Sequence, residues 1–354
     1  MDDPRDSSSP FGVLDFLSWT HEKFNHHYTQ DQTRKSLALM REAGVAFVRF
    51  DFLWEDIEPQ AGHFVFDKYD RLVTETTAEG IKILAVLGYT PSWSGKSWNQ
   101  APDPEAYGRF SQAMVHRYKD RVRHWQIWQE PDSPAFWQPQ NQMRQYVKLL
   151  QHVYPLLKAE DPTSIIHIGG MSRSLPISLR NVYENGGKDA FDIVDIHPFA
   201  NPLTPQALEG LRFWHQAVYR VLAHYGDQAK PVWFTEIGSP GMRDPQAAPH
   251  WWLGKNPDEQ TQAAWVKTVY DEMLHWKGVE KIFWCFFRDT QRHFKSGSDF
   301  DGLIRHDFSK KPSFEAYREA VQRHEALLEQ TKNPPSYPGA PGIESGFPPP
   351  AKTV

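Results

Sequence analysis

The chain has 354 residues, 40% of them hydrophobic and 14% aromatic, and a formal net charge of −5. That is enough apolar mass for one large core, and no block of Lys and Arg stands out, which argues against nucleic acid or an anionic membrane as partner. The single cysteine, Cys285, excludes an intrachain disulfide, and no stretch reaches the roughly 18 apolar residues of a membrane-inserted span.

In chain order, residues 1–10 are polar and lack a signal-peptide core. The expected compartment is therefore cytoplasmic, or extracellular with a leader already removed. Eight short apolar runs then read as strands: Phe11–Trp19, Ala46–Leu53, Ile81–Tyr89, Val122–Gln129, Ser164–Gly170, Phe191–Phe199, Pro231–Glu236 and Lys281–Phe287. Ile83-Leu84-Ala85-Val86-Leu87 is continuously apolar, as in a parallel strand covered on both faces. The intervening stretches read as helices. Met143, Tyr146, Val147, Leu150, Tyr154 and Leu157 recur at three- and four-residue spacing, with Pro155 expected to kink that helix. Asp258-Glu259 open another helix, running to about Trp276.

Strands alternating with helices imply a parallel sheet, and eight repeats imply a closed (β/α)8 TIM barrel, an α/β fold. A doubly wound open sheet would want a glycine-rich first βα turn, and Asp15 to Thr20 contains no glycine. The expected organisation is one barrel domain over residues 11–325, followed by a flexible tail over 326–354. From about Thr331 the composition turns to Pro and Gly and can form neither a helix nor a central strand.

Two of these runs present a glutamate at their C-terminal end, Glu130 just after the fourth and Glu236 as the last residue of the seventh. His124-Trp-Gln-Ile-Trp-Gln-Glu130 closes the fourth strand and Pro231-Val-Trp-Phe-Thr-Glu236 the seventh. Strand C-termini share one face of such a barrel, and strands four and seven lie across its mouth from one another. A lone glutamate at a strand end reads as a rim residue or ion-pair partner. Two that converge are the minimal equipment for cleaving a glycosidic bond.

Other strand ends add polar groups. Arg49 sits in the apolar run Val48-Arg-Phe-Asp51 and needs a partner, because an unpaired buried charge is costly. It reads as a support for a catalytic carboxylate or as one half of a structural Arg49–Asp51 pair. His197 ends strand six and reads as a satisfied core residue or as a partner of Glu236 or of a sugar hydroxyl. Trp284 on strand eight reads as core, or as the floor of a sugar subsite. Trp93, Trp98, Trp137, Trp251 and Trp252 fall in loops and read in part as cleft walls, since flat sugar faces stack on aromatic rings.

Competing chemistries lack their residues. Gly88 to Ser97 has its glycines too far apart for a phosphate loop, and no Gly-x-Ser-x-Gly elbow occurs. The His26-His27 doublet and the other histidines show no metal-ligand spacing, so neither metal nor cofactor is expected. A lyase or aldolase would want a Schiff-base lysine or a metal cluster at the strand ends, whereas Lys82 and Lys281 lie at strand starts.

At these residues the chain resembles clan A of the glycoside hydrolases, and within it family 39, over about Phe11 to Val321. Val48-Arg-Phe-Asp51 with Trp54 and Glu58-Pro-Gln-Ala-Gly-His-Phe-Val-Phe66 is similar to the second-strand region of these barrels. Trp128-Gln129-Glu130-Pro131 matches the clan's Trp-Asn-Glu-Pro at three of four positions, and Phe234-Thr-Glu236-Ile-Gly238 resembles the nucleophile motif. Asp301-Gly-Leu-Ile304 and Lys311-Pro-Ser-Phe-Glu-Ala-Tyr317 resemble the closing segment.

The resemblance implies a retaining glycosidase with Glu130 as acid/base and Glu236 as nucleophile, and with Arg49, Gln129, His197, Trp284 and Trp93 lining the substrate site. Gln129 departs from the clan's Asn, which contacts the sugar 2-hydroxyl, and Phe199 stands where many relatives place a Tyr beside the nucleophile. These departures motivate an alternative, a carbohydrate-binding barrel with weak or lost catalysis. The expected partner is an oligo- or polysaccharide, favoured by the aromatic seventh loop Gly241 to Pro257. Which sugar, neutral or acidic, and which oligomeric state stay open.

Overall fold

A computed structural model of the chain describes residues 8–22, 27–140, 142–172, 175–246 and 255–332. Residues 1–7, His26, Trp251 and Trp252 and the tail from 333 onward, all of which carried expectations, lie outside the described residues.

Eight parallel strands form one sheet: β1 Phe11–Leu14, β2 Phe47–Leu53, β3 Lys82–Gly88, β4 His124–Ile127, β5 Ile165–Ile168, β6 Val194–Ile196, β7 Val232–Ile237 and β8 Val279–Cys285. Their order, β5-β4-β3-β2-β1-β8-β7-β6, leaves β5 and β6 at the two ends. Isolated parallel bridges His167–Ile193 and Met171–Ile196 join those ends and close the barrel. The principal helices are α1 Gln30–Ala43, α2 Asp67–Ala78, α3 Pro104–Tyr118, α4 Met143–Glu160, α5 Leu175–Glu184, α6 Ala207–His224, α7 Glu259–Thr268 and α8 Pro312–Lys332, one after each strand. This is the expected (β/α)8 barrel.

Local chemistry sets the helix ends. Thr29 and Gln32 form a reciprocal capping box on α1, and Gly44 closes that helix in the left-handed region at φ 79°. Asp103 caps α3, with Pro104 in the first turn where a missing N–H costs nothing. Asp258 caps α7 by accepting from the Thr261 N–H, and a π-helical turn, Val269–Met273, extends that helix. Helix α4 runs unbroken through Pro155. Helix α8 continues to Lys332, beyond the 325 boundary read from composition.

The strands are shorter than the apolar runs because the chain turns out of the ladder to build the barrel mouth. β4 stops at Ile127, and Trp128 and Glu130 follow with φ of 69° and 41°. On the inner face, Phe47, Leu84, Ile193, Trp233 and Phe283 form an apolar plug at the strand starts. Side chains alternate faces along a strand, so Arg49 and Asp51 share the Phe47 side of β2, and Cys285 shares the Phe283 side of β8. Buried His124, His167 and Asp195 also cross the interior: His124 Nδ1 lies 2.9 Å from His167 Nε2, and His167 Nδ1 lies 2.9 Å from Asp195 Oδ1.

Candidate active site

The strand C-termini surround a cavity of about 1010 Å³. Arg49, Gln129, Glu130, Phe199 and Glu236 line it, along with Asp51, Cys285 and a set of aromatic rings.

Glu236, at the end of β7, receives most of its contacts on one oxygen. Arg49 Nη1 donates to Oε1 at 2.8 Å and Gln129 Nε2 donates to the same atom at 2.9 Å. The other oxygen, Oε2, has the Cys285 thiol at 3.9 Å. Arg49 is only 2% exposed, and its remaining donors go to Gln126 Oε1 at 2.8 Å and to Gln129 Oε1. Of the two partners foreseen for Arg49, its ion pair is with Glu236. Gln126 is fixed in turn by donating to the Trp128 carbonyl at 2.7 Å.

Glu130 is aimed by the positive-φ turn that follows β4. Such backbone is strained outside glycine and is held by its surroundings. Here the Trp128 indole donates to the Phe136 carbonyl at 2.8 Å, and Ser133 N donates to the Glu130 carbonyl at 2.9 Å. His197 Nδ1 lies 2.8 Å from Glu130 Oε1 and 3.6 Å from Glu236 Oε1, and Nε2 lies 3.0 Å from Thr235 Oγ1. Burial lowers the His197 pKa to about 4, against the opposing pull of Glu236. The ring is therefore neutral near pH 7 and carries one N–H: if Nδ1 donates to Glu130, Nε2 accepts from Thr235. Room for this ring comes from Gly170, where a Cβ would fall 1.9 Å from Nε2.

One donor atom each from Glu130, His197 and Glu236 lies within 4.8 Å of the others. The two carboxylates thus converge, as their strand positions predicted. A metal ion could use the same three atoms, but the Arg49 guanidinium already on Glu236 Oε1 opposes a second cation there.

The aromatic expectations need correction. Trp284 is fully buried in the core outside the strands, with its indole N–H donating to the Asp301 carbonyl at 2.9 Å. It occupies the outward parity of β8, between Phe283 and Cys285, so the cleft face at this strand end belongs to Cys285 and Phe286. Trp93 lies outside the cavity lining, donates to the Glu58 carbonyl at 2.6 Å and packs on Trp54. Trp137 is buried against Trp128. Among the loop tryptophans named above, Trp98 does line the cavity, at 50% exposure.

Apart from Trp98 and Phe199, the rings that form the walls were not foreseen. Phe16, Trp19, Phe286, His293 and Phe294 make one contiguous side, with Phe286 and Phe294 stacked at 5.5 Å. Tyr89, Trp98 and Phe136 make the other, beside the turn that carries Glu130. Phe199 lines the cavity and packs with the Leu14, Cys285 and Phe286 cluster.

Comparison with known proteins bears on the fold. A family model described as beta-galactosidase, of glycoside hydrolase family 42, matches residues 23–109. The fold is similar to that of glycoside hydrolases, family 39 enzymes among them. A family 39 glycoside hydrolase from the gut symbiont Bacteroides cellulosilyticus WH2 superposes with a TM-score of 0.66 at 22% identity, over 90% of this chain and 64% of that one. The family 39 enzyme from Xanthomonas axonopodis pv. citri gives 0.67 at 20% identity, over 87% and 65%. A monomeric beta-xylosidase from Caulobacter crescentus CB15 gives 0.65 at 20% identity, over 87% and 67%. At these identities the likeness is one of fold. The chain spans 64% and 65% of the first two proteins' lengths, so it aligns with less than two thirds of each. Gln129 directs its amide N–H at Glu236.

Proposed function

We propose that the chain is a retaining glycoside hydrolase acting on an oligo- or polysaccharide, with Glu236 as nucleophile and Glu130 as acid/base. The observation that carries this reading is the convergence of the two carboxylates, one oxygen of each within 4.8 Å. Retaining enzymes hold the pair about 5–5.5 Å apart, while inverting enzymes need about 6.5–9.5 Å to admit a water.

In this reading Glu236 attacks through Oε2, because Oε1 is occupied by Arg49 and Gln129. The anomeric carbon–oxygen bond breaks as the Glu236–carbon bond forms, and Glu130 gives its proton to the departing oxygen. Water then attacks the glycosyl-enzyme, its proton passes to Glu130, and Glu236 leaves as carboxylate. The aromatic walls on either side of the pair suit sugar rings before and after the cleaved bond. The site as built requires no metal or organic cofactor for these steps. The amide of Gln129 still serves Glu236, so it gives no specific support to the binding-module alternative.

The test is hydrolysis of a panel of aryl glycosides and polysaccharides by wild type, Glu236→Ala and Glu130→Ala. Removing the acid/base is expected to cost roughly 10²–10⁴-fold on poor leaving groups, and far less on activated aryl leaving groups. Azide should then restore turnover of Glu130→Ala with a glycosyl azide of retained configuration. An azide of inverted configuration, or wild-type activity left in Glu236→Ala, would overturn the assignment.

A further inference from the structure

The cleft contains a carboxylate that the proposed chemistry does not use. Asp51 lies two residues beyond Arg49 on the same face of β2, which puts it about 6.6 Å nearer the barrel mouth. Asp51 thus lines the cavity on the mouth side of the Arg49–Glu236 pair, without a hydrogen bond to either among the described residues. Its Oδ2 accepts the Trp19 indole N–H at 3.0 Å, which fixes the carboxyl plane. No hydrogen bond within the described residues engages Oδ1, and that atom is not among the sealed polar atoms of the interior. It opens on the cavity that Asp51 lines.

The neighbouring carboxylates are differently placed. Asp15 is taken up by Tyr28 at 2.7 Å and Ser36 at 3.1 Å. Asp56 pairs with Lys68 at 2.5 Å and His21 at 2.9 Å. Asp301 is only 4% exposed, and its Oδ1 is sealed in protein. An ionised carboxylate only accepts hydrogen bonds. With Arg49 committed to Glu236, an oxygen such as Asp51 Oδ1 is matched by hydroxyl donors from a ligand.

On the glycosidase reading, we infer that Asp51 is a specificity-determining residue, accepting hydrogen bonds from hydroxyls of the glycon remote from its anomeric carbon and selecting a neutral sugar. A glycon with a carboxylate, sulfate or phosphate at that position would set a second negative charge against Asp51, close to Glu130 and Glu236. The substrate class is thus a neutral hexoside or pentoside with free hydroxyls on the ring's far side, rather than a uronide or sulfated sugar.

The experiment measures kcat/KM for aryl glycosides of neutral sugars, their 3-deoxy and 4-deoxy analogues and the matching uronides. The proteins are wild type, Asp51→Asn, which still accepts from Trp19, and Asp51→Ala. Wild type should lose roughly 10- to 100-fold on one deoxy analogue, the range of a hydrogen bond to a charged group. The variants should lose a similar factor on the parent sugar and nothing further on that analogue. Losses that multiply, or a uronide preferred over its neutral counterpart, would overturn the inference while leaving the glycosidase reading intact. No turnover of any glycoside by wild type would overturn both.

Discussion

Arg49 and Glu236, 187 positions apart in the chain, meet at 2.8 Å inside the barrel mouth. The guanidinium does more than balance a charge. Its other two nitrogens hold Gln126 and Gln129, so one buried cation on β2 fixes Glu236 and the two amides beside it.

Arg49→Met leaves Glu236 without its cation in a nearly closed site. Breaking one side of a buried pair typically costs about 3–5 kcal/mol, and urea denaturation should show a loss of that order. Arg49→Lys keeps the charge but reaches one partner where the fork reaches three. It should recover much of the stability while kcat stays depressed. Full activity in Arg49→Lys would mean that charge alone matters here.

Gln129→Asn restores the clan's residue but shortens the side chain by one methylene. From the present backbone the amide would lose its reach to Glu236, now 2.9 Å away. A lost hydrogen bond to a charged group predicts a fall in kcat/KM of roughly 10- to 100-fold. A rise in activity on the same substrates would mark Gln129 as a handicap and revive the binding-module reading.

His197 predicts a pH-dependent stability. Its pKa is lowered from 6.5 to about 4 in the fold, first by burial. Between those values the unfolded chain binds the proton and the folded one does not, so this contribution is complete above about pH 6.5 and is lost as pH falls toward 4. The shift corresponds to about 3 kcal/mol at most. Asp15, Asp51 and Asp289, each raised to about 6 mainly by burial, act in the opposite direction. They remain in His197→Gln, so the variant should lose less melting temperature than wild type between pH 7 and pH 4.5 in calorimetry. An identical loss would mean that His197 titrates normally.

Gly170→Ala tests the space behind the catalytic pair. A methyl there would fall 1.9 Å from His197 Nε2, and the ring must move. Overpacking of this kind costs typically about 1–3 kcal/mol. Because His197 is the neighbour of Glu130, whose loss of a proton would set the alkaline limb of the pH–rate profile, that limb should move as well. Unchanged kinetics with only reduced stability would confine His197 to a packing role.

Much of the fold was legible because it rests on short-range pattern. Eight apolar runs separated by amphipathic stretches marked the eight strands, and Asp258 marked the start of α7. The two glutamates were legible because strand order in such a barrel makes Glu130 and Glu236 face each other. The walls of the site were not, because residue type alone does not tell which face of a strand a ring occupies. Trp284 and Cys285 differ by one position on β8; the tryptophan packs outward and the cysteine lines the cleft. Nor could spacing reveal that Trp128 and Glu130 adopt positive φ, since neither is a glycine. Spacing does not choose between a catalytic carboxylate and Asp51 as the partner of Arg49; the barrel does, by facing β2 and β7 across its mouth.

The seam between β5 and β6 bears on the site. Those strands touch through isolated bridges, and His167 on one side reaches Asp195 on the other at 2.9 Å. Glu130 leaves β4 on the first side of that seam, while His197 and Glu236 belong to the second. The seam is therefore a gauge for the two carboxylates: widening it by about an ångström or two would carry Glu130 away from His197 and from Glu236, toward a spacing into which a water fits. On the retaining reading proposed above, a side-chain contact at the back of the barrel thus helps to keep the carboxylate pair too close for a water to enter between them.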